Sequence, residues 1–355
     1  MDCFGSYFRM EIFGASHAPE VGIRLQGVPA GLPLAPDDFT ADILRRKSGA
    51  KGTTPRIEAD LPQIDDRRTE DGCLTIRFAN RNYRDEDYSD FTDIPRPGHA
   101  DFTALAKYGS LRNGWFSGRM TLPLVAAGVV AKKIIAPVSV TARLEEVGGI
   151  SADDTEAVDR LLDTAAREGD SVGGIITCCC TGVPVGLGEP FFDSLESLLA
   201  HALFSIPGIR GVEFGDGFRA ARMKGSEHND PFVGPDGKTA RNGAGGINGG
   251  IANGNPIVLR VAAKPTPSIR KVQQTFDFSQ GRMTDFVVKG RHDVCFALRV
   301  PPVVEAVTAC VLADLLLAQN EPACACTALT QICKLAQKYL PLPRYRCKRP
   351  GWRNR

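Results

Sequence analysis

Apolar residues recur at helical spacing in several segments of this 355-residue chain. Between residues 154 and 168, Val158, Leu161 and Leu162 fall on one helical face, and residues 193–205 repeat the pattern. An Asp or a Ser precedes each segment where a helix N-cap is expected. Residues 121–135 are almost entirely apolar, which predicts a core helix, and a further helix is predicted over residues 301–317.

Other segments have the patterns of strands. Phe8, Met10 and Ile12 alternate with other residues, and residues 173–183 and 256–263 are short apolar runs bounded by turn residues. Three consecutive cysteines, residues 178–180, lie in the second of these runs. Adjacent residues on a strand point to opposite faces, so these cysteines are interpreted as buried thiols in a reducing compartment. The pattern by itself predicts a mixed α and β fold.

Composition and charge place the chain among ordinary globular proteins. Hydrophobic residues make up 43% of it and charged residues 24%, with no internal repeat and no biased linker. The first 14 residues lack the features of a signal peptide, and no apolar run approaches the length of a membrane span. Residues 344–355 include six basic and no acidic residues. Such an end can bind nucleic acid, but we interpret it as a solvated tail.

The densest chemistry lies in residues 94–121. Two prolines bracket Arg96, a turn delivers His99, and Asp101 is placed to cap a short helix that runs toward Tyr108. A second turn delivers an aromatic pair, a hydroxyl and a guanidinium, which are Trp115, Phe116, Ser117 and Arg119. Side chains of these types on two adjacent turns indicate a ligand pocket. The alternative is a histidine that merely ties a loop together.

Four more stretches have a similar character. Small residues surround Ser16 and His17, which leaves the imidazole little cover. Residues 242–254 are rich in glycine, which permits close approach of the backbone to a ligand. Residues 264–268 read KPTPS and present a cation with two hydroxyl groups, a combination suited to a phosphate. Residues 290–293 read GRHD. No cysteine or histidine spacing indicates a metal site.

These motifs resemble those of the chorismate synthase family. Residues 96–101 read RPGHAD, the family signature, and the KPTPS and GRHD motifs also match, so that the likeness covers residues 4–317. The resemblance implies an α+β fold, a β-α-β sandwich in which helices pack between antiparallel sheets, assembled as a homotetramer. We expect residues 1–320 to form this domain and residues 321–355 to form a variable, basic C-terminal tail.

The resemblance also implies an activity. Members of the family are carbon–oxygen lyases that convert 5-enolpyruvylshikimate-3-phosphate to chorismate, the last step of the shikimate pathway, by anti 1,4-elimination of phosphate. They require reduced FMN, and some also bind NADP. We therefore expect a small anionic substrate, FMN, an external flavin reductant and a cytoplasmic location, and we expect no nucleic acid, membrane or metal partner.

Site residues follow from the same resemblance. His17 is expected to protonate the leaving phosphate, His99 to protonate or hold the reduced flavin, and Asp293 to help the flavin accept the substrate proton. Ser16 and Ser117 complete the predicted catalytic set. The predicted flavin-binding residues are Trp115, Phe116, Ser117, Pro207, Gly208, Gly249, Lys264, Pro265, Thr266, Pro267, Ser268 and Arg291. The predicted substrate-binding residues are Arg45, Arg46, Arg56, Arg84, Arg119 and Arg299.

Five positions depart from the family pattern, and they keep a second hypothesis open. Ala15, Ala18 and Gly243 replace a glutamate, a glycine and a histidine, and Glu70 and Asp71 stand where small neutral residues are usual. Two carboxylates beside an anion-binding pocket would repel the substrate unless they point outward. The alternative function is therefore an FMN-binding paralogue whose elimination activity is weakened or lost.

Overall fold

The computed structural model describes residues 2–82, 91–111 and 114–320. Its first sheet is antiparallel and has the strand order β1-β2-β3-β5-β4. These strands are β1 (Cys3–Phe4), β2 (Arg9–Gly14), β3 (Glu20–Gln26), β4 (Gln63–Arg67) and β5 (Cys73–Ala79). Alternate residues of the central strands β3 and β5, such as Ile23 and Ile76, are fully buried, so one face of this sheet belongs to the core.

The second sheet is also antiparallel, with the order β7-β6-β8-β12-β9. Its strands are β6 (Ser139–Val147), β7 (Ile150–Ser151), β8 (Gly174–Thr181), β9 (Ile209–Phe214) and β12 (Ile257–Ala263). Cys178 and Cys180 on β8 are buried and Cys179 is partly buried, and all three are free thiols, as the alternation predicted. Two hairpins complete the strands: β10 (Ile247–Asn248) with β11 (Ile251–Ala252), and β13 (Gln273–Asp277) with β14 (Arg282–Phe286).

Seven α-helices accompany the sheets in the described residues, and α3 and α7 lie between the two sheets. Their bounds are α1 (Thr40–Arg46), α2 (Asp101–Tyr108), α3 (Thr121–Ile134), α4 (Thr155–Glu168), α5 (Leu195–Leu203), α6 (Gly225–His228) and α7 (Pro301–Asn320). Helix α3 packs on β2, β3 and β5 of the first sheet, α7 packs on β6 and β8 of the second, and the two helices pack on each other. This is the predicted α+β sandwich, with helices between antiparallel sheets.

Helix α7 corrects one expectation from the sequence. The stretch Pro301–Gln319 is, among the described residues, a helix long and apolar enough to cross a membrane, with a mean hydropathy of 1.7. In the fold, 72% of this stretch is buried. Its position between α3 and the second sheet accounts for its apolarity, because a helix surrounded by core is hydrophobic on all sides.

The contact between α3 and α7 depends on a glycine. A Cβ atom at Gly128 would lie 2.2 Å from Ala306 Cβ and 2.3 Å from Ala306 Cα. We expect Gly128→Ala to lower the free energy of unfolding by about 1–3 kcal/mol, the usual cost of overpacking, even though alanine favours a helix. Urea unfolding would measure it. Gly225→Ala, where a Cβ would meet open space, is the control, and an equal effect at both positions would contradict the packing argument.

Candidate active site

A cavity of about 710 Å³ lies where loops from both sheets meet. Its walls come from the turn after β2, the loop after α1, the turns flanking α2, and the segments that follow α5 and β12 and precede α7. Among the described residues, nine lysines and arginines line it, against three carboxylates. Its size suits a small-molecule ligand, and its charge favours an anion.

Two arginines deep in the cavity share one carboxylate. Arg46 Nη2 lies 3.0 Å from Asp60 Oδ2, and Arg119 Nη1 forms a closer ion pair with Asp60 Oδ1. All three residues are buried. Burial lowers the pKa of Arg46 to about 10; the Asp60 charge opposes this shift, and the charges of Arg299 and Arg119 add to it. Two guanidinium groups on a single carboxylate leave an excess positive charge in the cavity.

Asp293 and Arg299 form a second buried ion pair. Arg299 Nη2 donates to Asp293 Oδ2 at 2.7 Å, and the backbone N–H of Thr54 donates to Asp293 Oδ1 at 2.8 Å. Both oxygens of Asp293 are thus engaged within the protein. The carboxylate holds Arg299 in the cavity wall and ties the loop after α1 to the segment that precedes α7.

Ser16 and His17 lie in the turn after β2, and Arg56 holds that turn. Arg56 Nη1 donates to Ser16 Oγ at 2.9 Å, and Arg56 Nη2 donates to the Ser16 carbonyl oxygen at 3.3 Å. Glu58 accepts from Arg56 Nε and Nη2 at 3.2 and 2.8 Å. Most of the Arg56 donors are therefore used inside the protein. Arg56 lines the cavity and also positions the turn, and its predicted role in substrate binding stays a prediction.

The turn at Gly114 approaches the turn that carries Ser16 and His17 closely. Gly114 has φ +86°, and a Cβ atom there would lie 2.7 Å from the Ser16 nitrogen and 2.8 Å from the His17 nitrogen. The Ser16 N–H donates to the Gly114 carbonyl oxygen at 3.3 Å. Only glycine combines that backbone angle with that approach. The turn at Gly114 and the turn that carries Ser16 and His17 are thus in direct contact.

His99 is held by Asp101 rather than by a helix cap. Asp101 Oδ1 lies 2.7 Å from His99 Nδ1, and Asp101 accepts two hydrogen bonds from Arg96, each at 2.7 Å. The prediction that Asp101 caps α2 is therefore wrong: α2 has no side-chain cap, because the carboxylate faces Arg96 and His99 instead. Arg96 Nη2 lies 3.0 Å from the same ring nitrogen, so His99 Nδ1 is held between a carboxylate acceptor and a guanidinium donor.

Charge around His99 sets its protonation. Burial lowers the pKa of His99; the hydrogen bond to Asp101 opposes this shift, and the Arg96 charge adds to it. Burial alone would raise the pKa of Asp101, but the hydrogen bonds from Arg96 and His99 hold it well below its usual range. The imidazole is therefore neutral at pH 7, and Asp101 remains charged to stabilise an imidazolium when one forms.

We expect Asp101→Asn to lower the pKa of His99 further. The substitution removes the group that raises this pKa and leaves the Arg96 charge that lowers it. An NMR titration of the His99 ring in both proteins would measure the shift. Since the folded pKa is already depressed, the wild-type protein should lose stability as the pH falls from about 6.5, the value in an unfolded chain, through the folded pKa. A higher pKa in Asp101→Asn would contradict the assignment.

Another wall of the cavity is formed by cationic side chains. In the described part of the chain these cations have no carboxylate partner. Lys264 Nζ donates to the Gly98 carbonyl oxygen at 2.5 Å, and Arg291 donates to Asn82. Burial lowers the pKa of Lys264, and the charge of Arg210 adds to the shift. Trp115 and Phe116, 40% and 37% exposed, present aromatic faces to the cavity. Thr266 Oγ1 is buried and has no hydrogen-bond partner among the described residues.

The model of the family described as Chorismate synthase matches residues 8–317. The chain belongs to the chorismate synthase family. A chorismate synthase of Chitinophaga pinensis is 55% identical over 329 residues, which cover 90% of this chain and 98% of that relative. One from Dehalococcoides mccartyi is 42% identical, with 88% and 96% covered. A crystal structure of chorismate synthase shares the fold, with a TM-score of 0.70 and 24% identity over 94% of this chain and 99% of that one.

Membership of the chorismate synthase family implies a flavin cofactor and a small substrate. The residues of the cavity fit a flavin mononucleotide. Exposed aromatic side chains at Trp115 and Phe116 suit a planar ring system, and the unsatisfied hydroxyl of Thr266 suits a polar edge. Lys264, Arg210 and Arg291 suit a phosphate, because no described carboxylate neutralises them.

Most of the residues predicted for the site line this one cavity. They are Ser16, His17, Arg46, Arg56, His99, Trp115, Phe116, Ser117, Arg119, Pro207, Gly208, Lys264, Pro265, Thr266, Pro267, Ser268, Arg291, Asp293 and Arg299. The predicted serines already have partners within the protein: Ser16 Oγ accepts from Arg56, Ser117 Oγ accepts from the Arg119 N–H, and Ser268 Oγ accepts from Arg96. Arg84 lies outside the described residues.

Two predicted site residues of the described chain do not line the cavity. Arg45 binds Glu305 through both terminal nitrogens, at 2.7 and 2.8 Å, because its position on α1 directs it toward α7 while Arg46 enters the cavity. Gly249 is exposed in the turn between β10 and β11, where an added Cβ atom would meet no described atom within 4 Å.

Glu70 and Asp71 meet the condition under which they would not repel the substrate, because they lie outside the cavity. Both are exposed in the turn between β4 and β5, and Asp71 forms an ion pair with Arg67 at 3.1 Å. Gly243 also lies elsewhere, where its N–H donates to Asp230. None of the three lines the cavity in the described structure. The family relationships support the synthase over the paralogue that these departures suggested.

Several residues of the cavity were not found from the sequence. Glu58 and Asp60 supply carboxylates that hold Arg56, Arg46 and Arg119, and Lys47 and Arg210 add cations. A buried charge in a loop gives no periodic signal. Asp60 is a non-glycine residue at φ +54°, a conformation that Asp tolerates better than most residues, and no pattern in the sequence marks it.

Proposed function

We propose that this protein is a chorismate synthase that releases phosphate from 5-enolpyruvylshikimate-3-phosphate by anti 1,4-elimination in the presence of reduced FMN. The observation that carries the proposal is the meeting of two imidazoles, His17 and His99, with an unneutralised group of arginines in one cavity. The substrate has two carboxylates and a phosphate ester, and such groups are bound best by guanidinium donors.

The deep arginines are the natural site for the substrate anions. Arg46 and Arg119 share Asp60, and both guanidinium groups keep donors that Asp60 does not use. The Nε atoms of Arg46 and Arg299 are buried and have no hydrogen-bond partner among the described residues. A bound carboxylate or phosphate would satisfy these donors and neutralise the excess charge.

Each imidazole would hold or transfer one proton during the reaction. His17 lies beside Ser16 on the rigid turn and would donate a proton to the leaving phosphate oxygen, which lowers the charge that develops as the ester bond breaks. His99, held through Nδ1 by Asp101 and Arg96, would hold a proton of the reduced flavin or exchange one with it. Asp293, fixed by Arg299 and Thr54, would orient groups next to the ring hydrogen that is lost.

The flavin would rest between the aromatic pair and residues 264–268, with Lys264 and Arg291 near its charged end. Bound reduced FMN supplies transient electron density, which is needed because no carbonyl group acidifies the C–H bond that breaks. The walls of the cavity would exclude water and hold the ester against this ring.

One anaerobic assay tests the proposal. The purified protein is mixed with photoreduced FMN and the shikimate ester, and phosphate and chorismate are both measured. We expect equal amounts of the two products, and none with oxidised FMN under the same conditions. Flavin binding without release of phosphate would favour the inactive paralogue and contradict the proposal.

Other properties follow from the same assignment. We propose FMN rather than another flavin, external reduction of that FMN, an NADP-linked source of electrons, assembly as a homotetramer and a cytoplasmic location. Residues 1–320 would form the synthase domain, with residues 321–355 as an appended basic tail. Nucleic acid and membrane are not among the proposed partners.

A further inference from the structure

Asn80 connects the turn that carries His17 to the arginines of the cavity. It follows β5 directly and is buried. Its side-chain Nδ2 donates to the carbonyl oxygens of Ala15 and Ala18, at 3.0 and 2.8 Å. Its Oδ1 accepts from Arg119 Nε at 3.0 Å. Both hydrogens and the oxygen of the amide are thus engaged, and no other orientation of the amide would satisfy two carbonyl groups and a guanidinium.

The backbone of Asn80 strengthens the same connection. Its N–H donates to the Pro19 carbonyl oxygen at 2.8 Å, so three carbonyl groups of residues 15–19 are held by this one residue. From the other side, Gly114 lies against the nitrogen atoms of Ser16 and His17. The turn is therefore confined between Asn80 and Gly114.

We infer that Asn80 is a positioning residue, which fixes His17 at a set distance from the anion bound by Arg119. The inference rests on the proposed function. Arg119 has other partners, because Asp60 and the Ala79 carbonyl oxygen also accept from it, so that the anion site does not depend on Asn80. The position of His17 depends more heavily on it, because two carbonyl groups that flank His17 accept from its side chain.

Asn80→Ala separates these two roles. We expect kcat to fall by about 10²-fold, the usual effect of misplacing a catalytic group by about 1 Å, while the Kd for inorganic phosphate stays within about threefold of the wild-type value. In an NMR titration, phosphate should shift the His17 ring resonances in the wild-type protein and shift them much less in the variant.

Asn80→Asp is the second variant, because it keeps the acceptor for Arg119 and loses both donors to the turn. We expect no recovery of kcat relative to Asn80→Ala. Recovery would show that Asn80 acts only by holding Arg119, and it would overturn the inference.

Asn255→Ala is the matched control. Asn255 is also a buried asparagine, with donors to Gly237 and Asn253 and an acceptor for Thr239, and it lies outside the cavity. Any loss of stability should be similar in the two alanine variants, but only Asn80→Ala should lose kcat. Equal kcat in both variants would overturn the inference. A wild-type protein that releases no phosphate from the ester would instead overturn the proposed function.

Discussion

His99→Ala should lower the turnover of the shikimate ester by about 10²-fold or more in a protein that remains folded. The ring lines the cavity, and burial lowers its pKa, so that the neutral imidazole is available to accept a proton at pH 7. Alanine removes that group and leaves the Asp101–Arg96 ion pair in place. Anaerobic single-turnover kinetics with reduced FMN would measure the effect.

A second histidine provides the control for this prediction. His201 lies exposed on α5, where its ring packs against Phe4, and it does not belong to the cavity. We expect His201→Ala to keep wild-type turnover. If His99→Ala also keeps it, with normal circular dichroism, the imidazole has no part in the reaction.

Asp60→Asn should destabilise the protein by about 3–5 kcal/mol, the usual result of removing one partner from a buried ion pair. The cost is large because Asp60 serves two buried arginines, and an amide of the same shape neutralises neither. Urea unfolding would measure it. Added phosphate should restore more stability to the variant than to the wild-type protein, because the freed arginines would bind the anion and binding to the folded state stabilises it.

An exposed carboxylate on β4 is the control for Asp60. Asp65 lies 3.8 Å from Arg67 with both side chains about half exposed, so Asp65→Asn should cost less than about 1 kcal/mol. It should also show no extra stabilisation by phosphate. If the two variants lose similar stability, Asp60 does not neutralise the arginines as the structure indicates.

The core elements of the fold could be predicted from the pattern of apolar residues. Helices α3 and α4 and strand β12 begin and end within about one residue of the predicted bounds. Helix α4 is periodic and capped by Asp154, and α3 and β12 are continuous apolar runs. The packing of helices between two sheets could not be predicted from the periodicity of apolar residues. It came from the family resemblance, since the pairing of distant strands leaves no local signal.

The sequence identified the motifs of the candidate site, but it did not predict the direction in which individual side chains point. Arg45 and Arg46 are adjacent in the sequence, but they differ by about 100° around the helix, and only the packed helix shows which one enters the cavity. Arg56 was assigned to the substrate by its charge, whereas its hydrogen bonds go to Ser16 and Glu58. Asn80 gave no signal, because an asparagine at the end of a strand usually indicates a turn.

The burial of α7 has a consequence for how the chain is made. The helix packs on the second sheet and on α3, yet it is the last described element to leave the ribosome. Until residue 320 emerges, α3 and the second sheet lack the helix that covers them. During that time the apolar surfaces of the nascent chain are exposed to chaperones and to other nascent chains. We therefore expect folding to be completed only after synthesis of the domain. A chain shortened to end at Val300 should aggregate or remain bound to chaperones, which size-exclusion chromatography would detect.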